Sequence, residues 1–131
     1  MKLSALRSEI TDEGTWAEMP EFRGVSVCVR TTDHPEYVRA INVGLERRSR
    51  AARKDPNVRN EIVMRAVAKH LLLDWKGVTD DDDQPMPFDR DLVEGWAKDL
   101  RNYGRFLGAV LSAAVQVTEE IAEAREDLGN G

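Results

Sequence analysis

The feature that most constrains the fold is the stretch of residues 67–88, VAKHLLLDWKGVTDDDDQPMPF. Apolar residues at steps of three and four predict that its first half ends a core-facing helix, and Gly77 supplies the backbone freedom with which helices often end. The four aspartates at residues 80–83 have to remain in water unless each finds a partner. Pro85 and Pro87 then stiffen the chain before Asp89, which is placed to cap the next helix. We therefore expect a buried helix end joined by an exposed acidic loop to a second helix.

The hydrophobic pattern elsewhere predicts a mainly helical α+β domain over residues 14–131, behind a flexible arm or short helix at residues 1–13. We expect four helices at about residues 34–54, 56–76, 89–102 and 105–127, with Gly104 breaking or kinking the chain after the third. The second and fourth of these helices should be central. One core is predicted to contain Val63, Val67, Leu71, Trp96, Val110 and Leu111.

A strand-like pattern lies at residues 15–32, where Val25, Val27 and Val29 alternate with more polar residues. With a first short strand around Trp16, this segment is predicted to form a β-hairpin. The single cysteine, Cys28, falls within the alternation and is interpreted as a small apolar side chain and not as a reactive thiol. A lone hairpin is marginal in water, so one face should pack on the helices or on another chain.

The run HLLLDWKG and the following QPMPF, residues 70–77 and 84–88, resemble the tail assembly chaperones of bacteriophages with long, non-contractile tails. That family typically has a hydrophobic helix ending in D-W-K-G, an acidic turn and a P-x-P-[FY] segment before the next helix. Asp83 departs from the pattern, because the family often has glycine there. The resemblance is close over this segment and loose elsewhere.

What the resemblance implies is a non-catalytic protein of the host cytoplasm, specific to siphovirus-type phages. Such a protein binds the long, helical tape measure protein, keeps it soluble and helps recruit the tail tube protein. Many members also exist as a longer, frameshifted product. An alternative is a minor tail or connector protein retained in the virion, which stoichiometric amounts in purified particles would favour.

Charge is unevenly distributed along the chain. Residues 1–60 carry 11 basic and 9 acidic groups (+2), and residues 61–131 carry 8 and 15 (−7), which gives a net charge of −5. An acidic chain is a poor candidate for binding duplex DNA, because phosphate contacts need clustered cations. The cations between Arg47 and Lys54 are interpreted as a solvated helix end, with a nucleic-acid patch or an acidic protein partner as alternatives. Since residues 106–118 form the longest uncharged stretch, no membrane partner is expected.

No pattern predicts catalysis, a cofactor or a metal site. His70 and Asp74 lie four residues apart on one predicted helix face, but no second histidine or cysteine joins them. The aspartate run fits an EF-hand loop poorly, because Pro85 stands where the loop needs glycine and Asp91 where it needs glutamate. We therefore predict that residues 80–83 project into water without a specific calcium ion.

A partner-binding surface is predicted on the last helix, where the small, uncharged side includes Ala109, Ser112, Ala113 and Gln116. A helix without a charged face is usually buried all round or lies against a partner. The hairpin residues Trp16, Val25 and Val27 are a second candidate surface. The expected occupants are the tape measure protein or a second copy of this chain.

Overall fold

The computed structural model describes residues 13–130 and contains a three-stranded antiparallel sheet with the strand order β1–β2–β3. β1 (Thr15–Glu18) and β2 (Ser26–Val29) form the predicted hairpin, and β3 (Leu72–Lys76) pairs with the other side of β2. The predicted arm at residues 1–13 lies outside the described residues except for Glu13. The hairpin is therefore the middle and one edge of a sheet that the helical part of the chain completes.

The described residues also form five α-helices, α1 (Pro35–Glu46), α2 (Arg50–Lys54), α3 (Pro56–Ala66), α4 (Arg90–Trp96) and α5 (Leu100–Asn130). Side-chain caps fix several of their starts. The carboxylate of Asp89 accepts a hydrogen bond from the Asp91 backbone N–H at 3.0 Å, and that of Asp55 accepts one from Asn57 at 2.9 Å. The chain is thus mainly α with a small sheet, an α+β protein.

The predicted helix over residues 56–76 is wrong at its end. α3 stops at Ala66, a wider π turn covers Val67–Leu71, and the chain then enters β3. Arg90 stabilises this change, because its guanidinium donates to the carbonyls of Ala68 at 3.0 Å and Lys69 at 3.1 Å, and to that of Leu72. A short apolar run reads equally well as a strand or a buried helix, so its spacing could not decide between them.

The other three predicted helices differ in their bounds. The helix predicted over 34–54 is divided into α1 and α2, because the Ser49 hydroxyl accepts a hydrogen bond from the Ala52 backbone at 3.1 Å and starts a new helix. The one predicted over 89–102 ends at Trp96, and the one predicted over 105–127 runs from Leu100 to Asn130. Gly104 lies inside α5 without breaking it, since packing of its aromatic neighbours outweighs glycine's cost of about 1 kcal/mol in a helix.

The core is built mainly from the sheet, α3, the π turn and α5, as expected for the second and fourth predicted helices. Val67, Leu71 and Val110 are fully buried, and the other predicted members, Val63, Trp96 and Leu111, pack against them partly buried, so the core prediction is confirmed. Cys28 is buried in β2, and burial raises the pKa of its thiol, as expected for an unreactive side chain. Within residues 13–130, no helix combines the length and apolar character that crossing a bilayer demands.

Candidate functional site

Six of the eight aromatic side chains meet at one end of the sheet, and they are Phe22, Trp75, Phe88, Trp96, Tyr103 and Phe106. Trp75 is at the centre, with Trp96 stacked on it at 5.6 Å between ring centroids. Tyr103 stacks on the outer side of Trp96 at 4.8 Å, with the two rings 8° from parallel. Phe106 meets Trp75 and Trp96 edge-on at 6.1 and 5.6 Å. Each such pair contributes about 0.5–1.5 kcal/mol beyond the area it buries, so the rings stabilise one another's positions.

The segment that carries the D-W-K-G and P-M-P-F sequences folds back on itself around Trp75. The indole N–H of Trp75 donates to the Met86 carbonyl at 2.7 Å, and the Met86 backbone N–H donates to the Val78 carbonyl at 2.9 Å. Phe88 packs edge-on against the same indole at 5.1 Å. The residues that give this segment its recognisable pattern therefore share one task, which is to hold Trp75 in place.

A close approach of two glycines brings the hairpin turn to this cluster. Gly24 and Gly77 both have φ +82°, and a Cβ on Gly77 would lie only 2.0 Å from the Gly24 carbonyl oxygen. Backbone contact this tight requires glycine at residue 77. It places Phe22, on the same turn, edge-on to Phe106 at 5.6 Å.

A groove of about 730 Å³ opens beside the stack, which we call the aromatic groove. Its apolar lining is formed by Phe22, Val25, Val78, Trp96, Tyr103 and Phe106. Glu21, Arg23, Asn102 and Arg105 form a polar rim of both charge signs, and Tyr103 remains 37% exposed. Aromatic anchors within a polar rim are the usual composition of a protein-binding site.

Of the residues predicted to form a partner surface on the last helix, some are buried in the structure and others are exposed. Ala109 and Ala113 are each only 7% exposed and belong to the core, so the prediction that they face a partner has to be corrected. The physical reason is that α5 contacts β1, β2, α3, the π turn and α4, and small residues allow these neighbours to approach closely. Ser112 and Gln116 do remain exposed, and their side chains bond within the helix to the Gly108 carbonyl and the Glu120 carboxylate.

The hairpin residues predicted to bind a partner also differ in their exposure. Val27 is fully buried and offers no surface, which corrects its assignment to a partner site. Trp16 is 41% exposed on β1, with the ammonium of Lys76 4.1 Å from its ring centroid. Val25 is half-buried and lines the aromatic groove, so it is where the predicted surface and the groove overlap.

The sequence interpretation missed Phe22, Tyr103 and Phe106 as site residues and treated Trp96 only as core. A signal was present, because aromatic residues are concentrated after the D-W-K-G motif, with Tyr103 and Phe106 three residues apart on α5. Such a spacing places both on one side of a helix. Linking them to Phe22 required knowledge of the hairpin's position.

The acidic loop at residues 80–83 is exposed, as predicted. Hydrogen bonds between one of its side chains and its own backbone stabilise its conformation. One carboxylate oxygen of Asp80 accepts from the backbone N–H groups of Asp82 at 2.9 Å and Gln84 at 3.0 Å. Across residues 13–130, no group of three or more histidine, cysteine, aspartate or glutamate side chains is arranged to hold a metal ion. His70 and Asp74, paired on one helix face in the prediction, are separated by the change from π turn to strand.

The chain matches a known protein family. Residues 33–130, about three quarters of its length, match the family described as YdaY prophage protein. The chain belongs to the YdaY prophage protein family. No curated protein and no solved structure matches it. The matched part of this YdaY-family chain contains α1 to α5 and β3, and so supplies Trp75, Trp96, Tyr103 and Phe106, whereas Phe22 and Val25 precede it.

Proposed function

We propose that this YdaY-family protein is a non-catalytic tail assembly chaperone in the cytoplasm of the host. In this proposal it binds the phage tape measure protein, keeps it soluble and helps recruit tail tube subunits. The observation that carries the proposal is that the residues resembling tail assembly chaperones, from D-W-K-G to P-M-P-F, build the support of the aromatic groove. The prophage origin of the family is consistent with this assignment.

The chemistry of the aromatic groove suits a helical client. An amphipathic helix binds a groove by placing apolar residues at steps of three and four into it, and aromatic side chains supply large contact areas at low entropic cost. The rim carries Glu21 beside Arg23 and Arg105, so it can accept polar residues of either charge along a long protein. Weak binding at each site would be compensated when several copies bind one long client.

The test is co-expression of the chain with the tape measure protein of the same phage, followed by co-purification. Tyr103→Ala removes the exposed anchor of the groove, and an anchor of this kind usually accounts for 2 kcal/mol or more of binding, by the general size of interface hot spots, roughly a 30-fold loss of affinity. We expect much less soluble tape measure protein with this variant. Leu92→Ala is the matched control, because Leu92 is 38% exposed on α4 and lies outside the groove lining.

Two outcomes would contradict the proposal. If the wild-type chain neither binds nor solubilises the tape measure protein, the assignment as its chaperone is wrong. If wild type binds it and a folded Tyr103→Ala variant retains it as well as Leu92→Ala does, the aromatic groove is not the surface that binds the client. Circular dichroism of both variants establishes that they are folded before the comparison is made.

A further inference from the structure

A second groove runs between α1 and α3, away from the aromatic cluster. It has a volume of about 510 Å³ and an apolar floor that includes Val43, Ile62 and Ala66. The two helices are close there because Gly44 has no side chain; a Cβ at this position would lie 2.7 Å from an Ile62 methyl carbon. The result is a groove between two helices, which we call the basic groove.

Four cations line the basic groove, namely Arg47, Arg48, Arg65 and Lys69. Among the residues that the structure describes, no carboxylate lies within ion-pair distance of any of these four side chains. Arg53, also basic and nearby in sequence, differs because it caps α1, donating to the carbonyls of Leu45 at 2.8 Å and Glu46 at 3.2 Å. The groove therefore combines an apolar floor with cations that form no ion pair within the described residues, and this favours an acidic amphipathic partner.

The chain itself carries a surface of complementary charge on the last third of α5. Glu119, Glu120, Glu123, Glu126 and Asp127 are all exposed, and at 3.6 residues per turn they fall within an arc of roughly 120°. Val115 and Ala122, both exposed and seven residues apart, lie along one border of this arc, two helical turns from each other. Carboxylates near a helix C-terminus oppose the helix dipole, and cations from a partner relieve this cost.

We propose that the acidic face of α5 in one copy docks into the basic groove of a second copy, so that the protein self-associates. The acidic face of α5 is a better partner for the groove than the acidic loop, because the Asp80 carboxylate is already bonded to its own loop backbone. Each copy presents one helix and one groove, so two reciprocal contacts close a dimer, and a non-reciprocal contact propagates a chain of copies. The inference does not depend on client binding in the aromatic groove.

Paired charge reversals test the proposal by analytical ultracentrifugation. Arg65→Glu with Lys69→Glu leaves the groove with two cations and two carboxylates, and Glu119→Lys with Glu123→Lys leaves the helix face with three carboxylates and two cations. All four side chains are exposed, so the fold should tolerate both variants. Each variant alone removes most of the charge attraction between groove and helix, and we expect self-association roughly 100-fold weaker than in wild type. In a mixture, the unaltered helix of the groove variant can bind the unaltered groove of the helix variant, which is the wild-type contact, so we expect association to return in the mixture alone.

Matched controls separate this contact from a general effect of net charge. Arg50→Glu with Arg59→Glu and Asp81→Lys with Asp82→Lys make the same changes in charge at exposed positions outside the groove and the α5 face. Both controls should associate as wild type does, and wild-type association should weaken with added salt. A wild type that stays monomeric at low salt, folded variants that fail to associate on mixing, or a loss of association in the Asp81/Asp82 control would each overturn the proposal. Binding of a DNA duplex to the wild-type groove in place of self-association would do so as well.

Discussion

The aromatic groove and the basic groove belong to one small domain but are built in different ways. The lining of the aromatic groove continues into the core through Trp75, which is only 5% exposed and contacts three other rings of the cluster, Phe88, Trp96 and Phe106. The basic groove has its functional groups at the ends of long side chains, three of the four exposed, above a floor that two helices form. A substitution beneath the aromatic groove should therefore alter folding and binding together, whereas one in the basic groove should alter binding alone.

The largest expected effect is that of Trp75→Ala, because it removes a buried ring from the centre of the cluster and leaves a cavity. We expect the free energy of unfolding to fall by about 3–5 kcal/mol. Trp16→Ala is the matched control, since Trp16 is 41% exposed, and it should cost less than about 1 kcal/mol. Urea unfolding followed by circular dichroism measures both, and equal losses would mean that the cluster is not coupled to the core.

Gly77→Ala should have the next largest effect, because it combines a backbone at φ +82° with a side-chain carbon 2.0 Å from the Gly24 carbonyl oxygen. We expect a loss of about 2–4 kcal/mol in unfolding free energy from strain and overlap. Gly24→Ala is the control, since Gly24 has the same φ and nothing within 4 Å of an added Cβ. The smaller loss in this control measures the backbone strain alone, and a loss as large as that of Gly77→Ala would show that the overlap is relieved at no cost.

A smaller effect on the free energy of unfolding is expected when the pH changes, because His70, which lines the basic groove, titrates. Burial lowers the pKa of His70 below its ordinary value of 6.5, against the opposing effect of Glu36, with Lys69, Arg30 and Arg90 acting in the same direction as burial. The unfolded chain then binds this proton more readily than the folded chain does. The stability contributed by neutral His70 is complete above pH 6.5 and is lost as the pH falls from there through the folded pKa.

Replacing His70 should therefore reduce the pH dependence of the free energy of unfolding. We expect the fall in unfolding free energy between about pH 7 and pH 5 to be smaller in His70→Gln than in wild type. Urea titrations at the two pH values measure the difference between the slopes. The same fall in both proteins would show that other groups account for all of the pH dependence in this range.

The smallest effect is expected from Arg65→Ala, which removes a cation from the basic groove. Arg65 is exposed and has no ion-pair partner among the described residues, so the change in unfolding free energy should be within about 0.5 kcal/mol. A loss well above 1 kcal/mol would show that the cations of this groove contribute to folding, and the contrast with the aromatic groove would then fail. Thermal or urea unfolding is sufficient to measure it.

Local signals in the sequence were reliable where one segment determines its own structure. The cap at Asp89 is a short-range hydrogen bond, the hairpin follows from the alternation at Val25 to Val29, and the core residues of α3 and α5 follow from helical spacing. These elements were predicted correctly because the residues that stabilise them are neighbours in sequence. The same is true of the exposed acidic loop.

The strand β3 and the aromatic groove could not be predicted in this way. β3 is a strand because it pairs with β2 and because Arg90 takes the carbonyls that a continuing helix would have used. The groove is lined by residues from the hairpin turn, the loop after β3, α4 and α5, and no spacing within one segment reports their proximity. Ala109 and Ala113 were misplaced for a related reason, because the sequence does not show that five elements pack around α5.

The pairing of β3 with β2 has a consequence for the order in which the chain folds. Ser26 lies opposite Lys76, fifty positions further along the chain, so the pairing closes a long loop that contains α1, α2 and α3. Closing such a loop costs entropy before its contacts form, and folds with distant pairings form slowly. Helices α1 and α3 can form from local contacts, but Phe22 and Trp75 meet the same cluster only after the loop has closed. A nascent or half-folded copy thus has no aromatic groove, and a partner that binds there selects chains whose folding is complete.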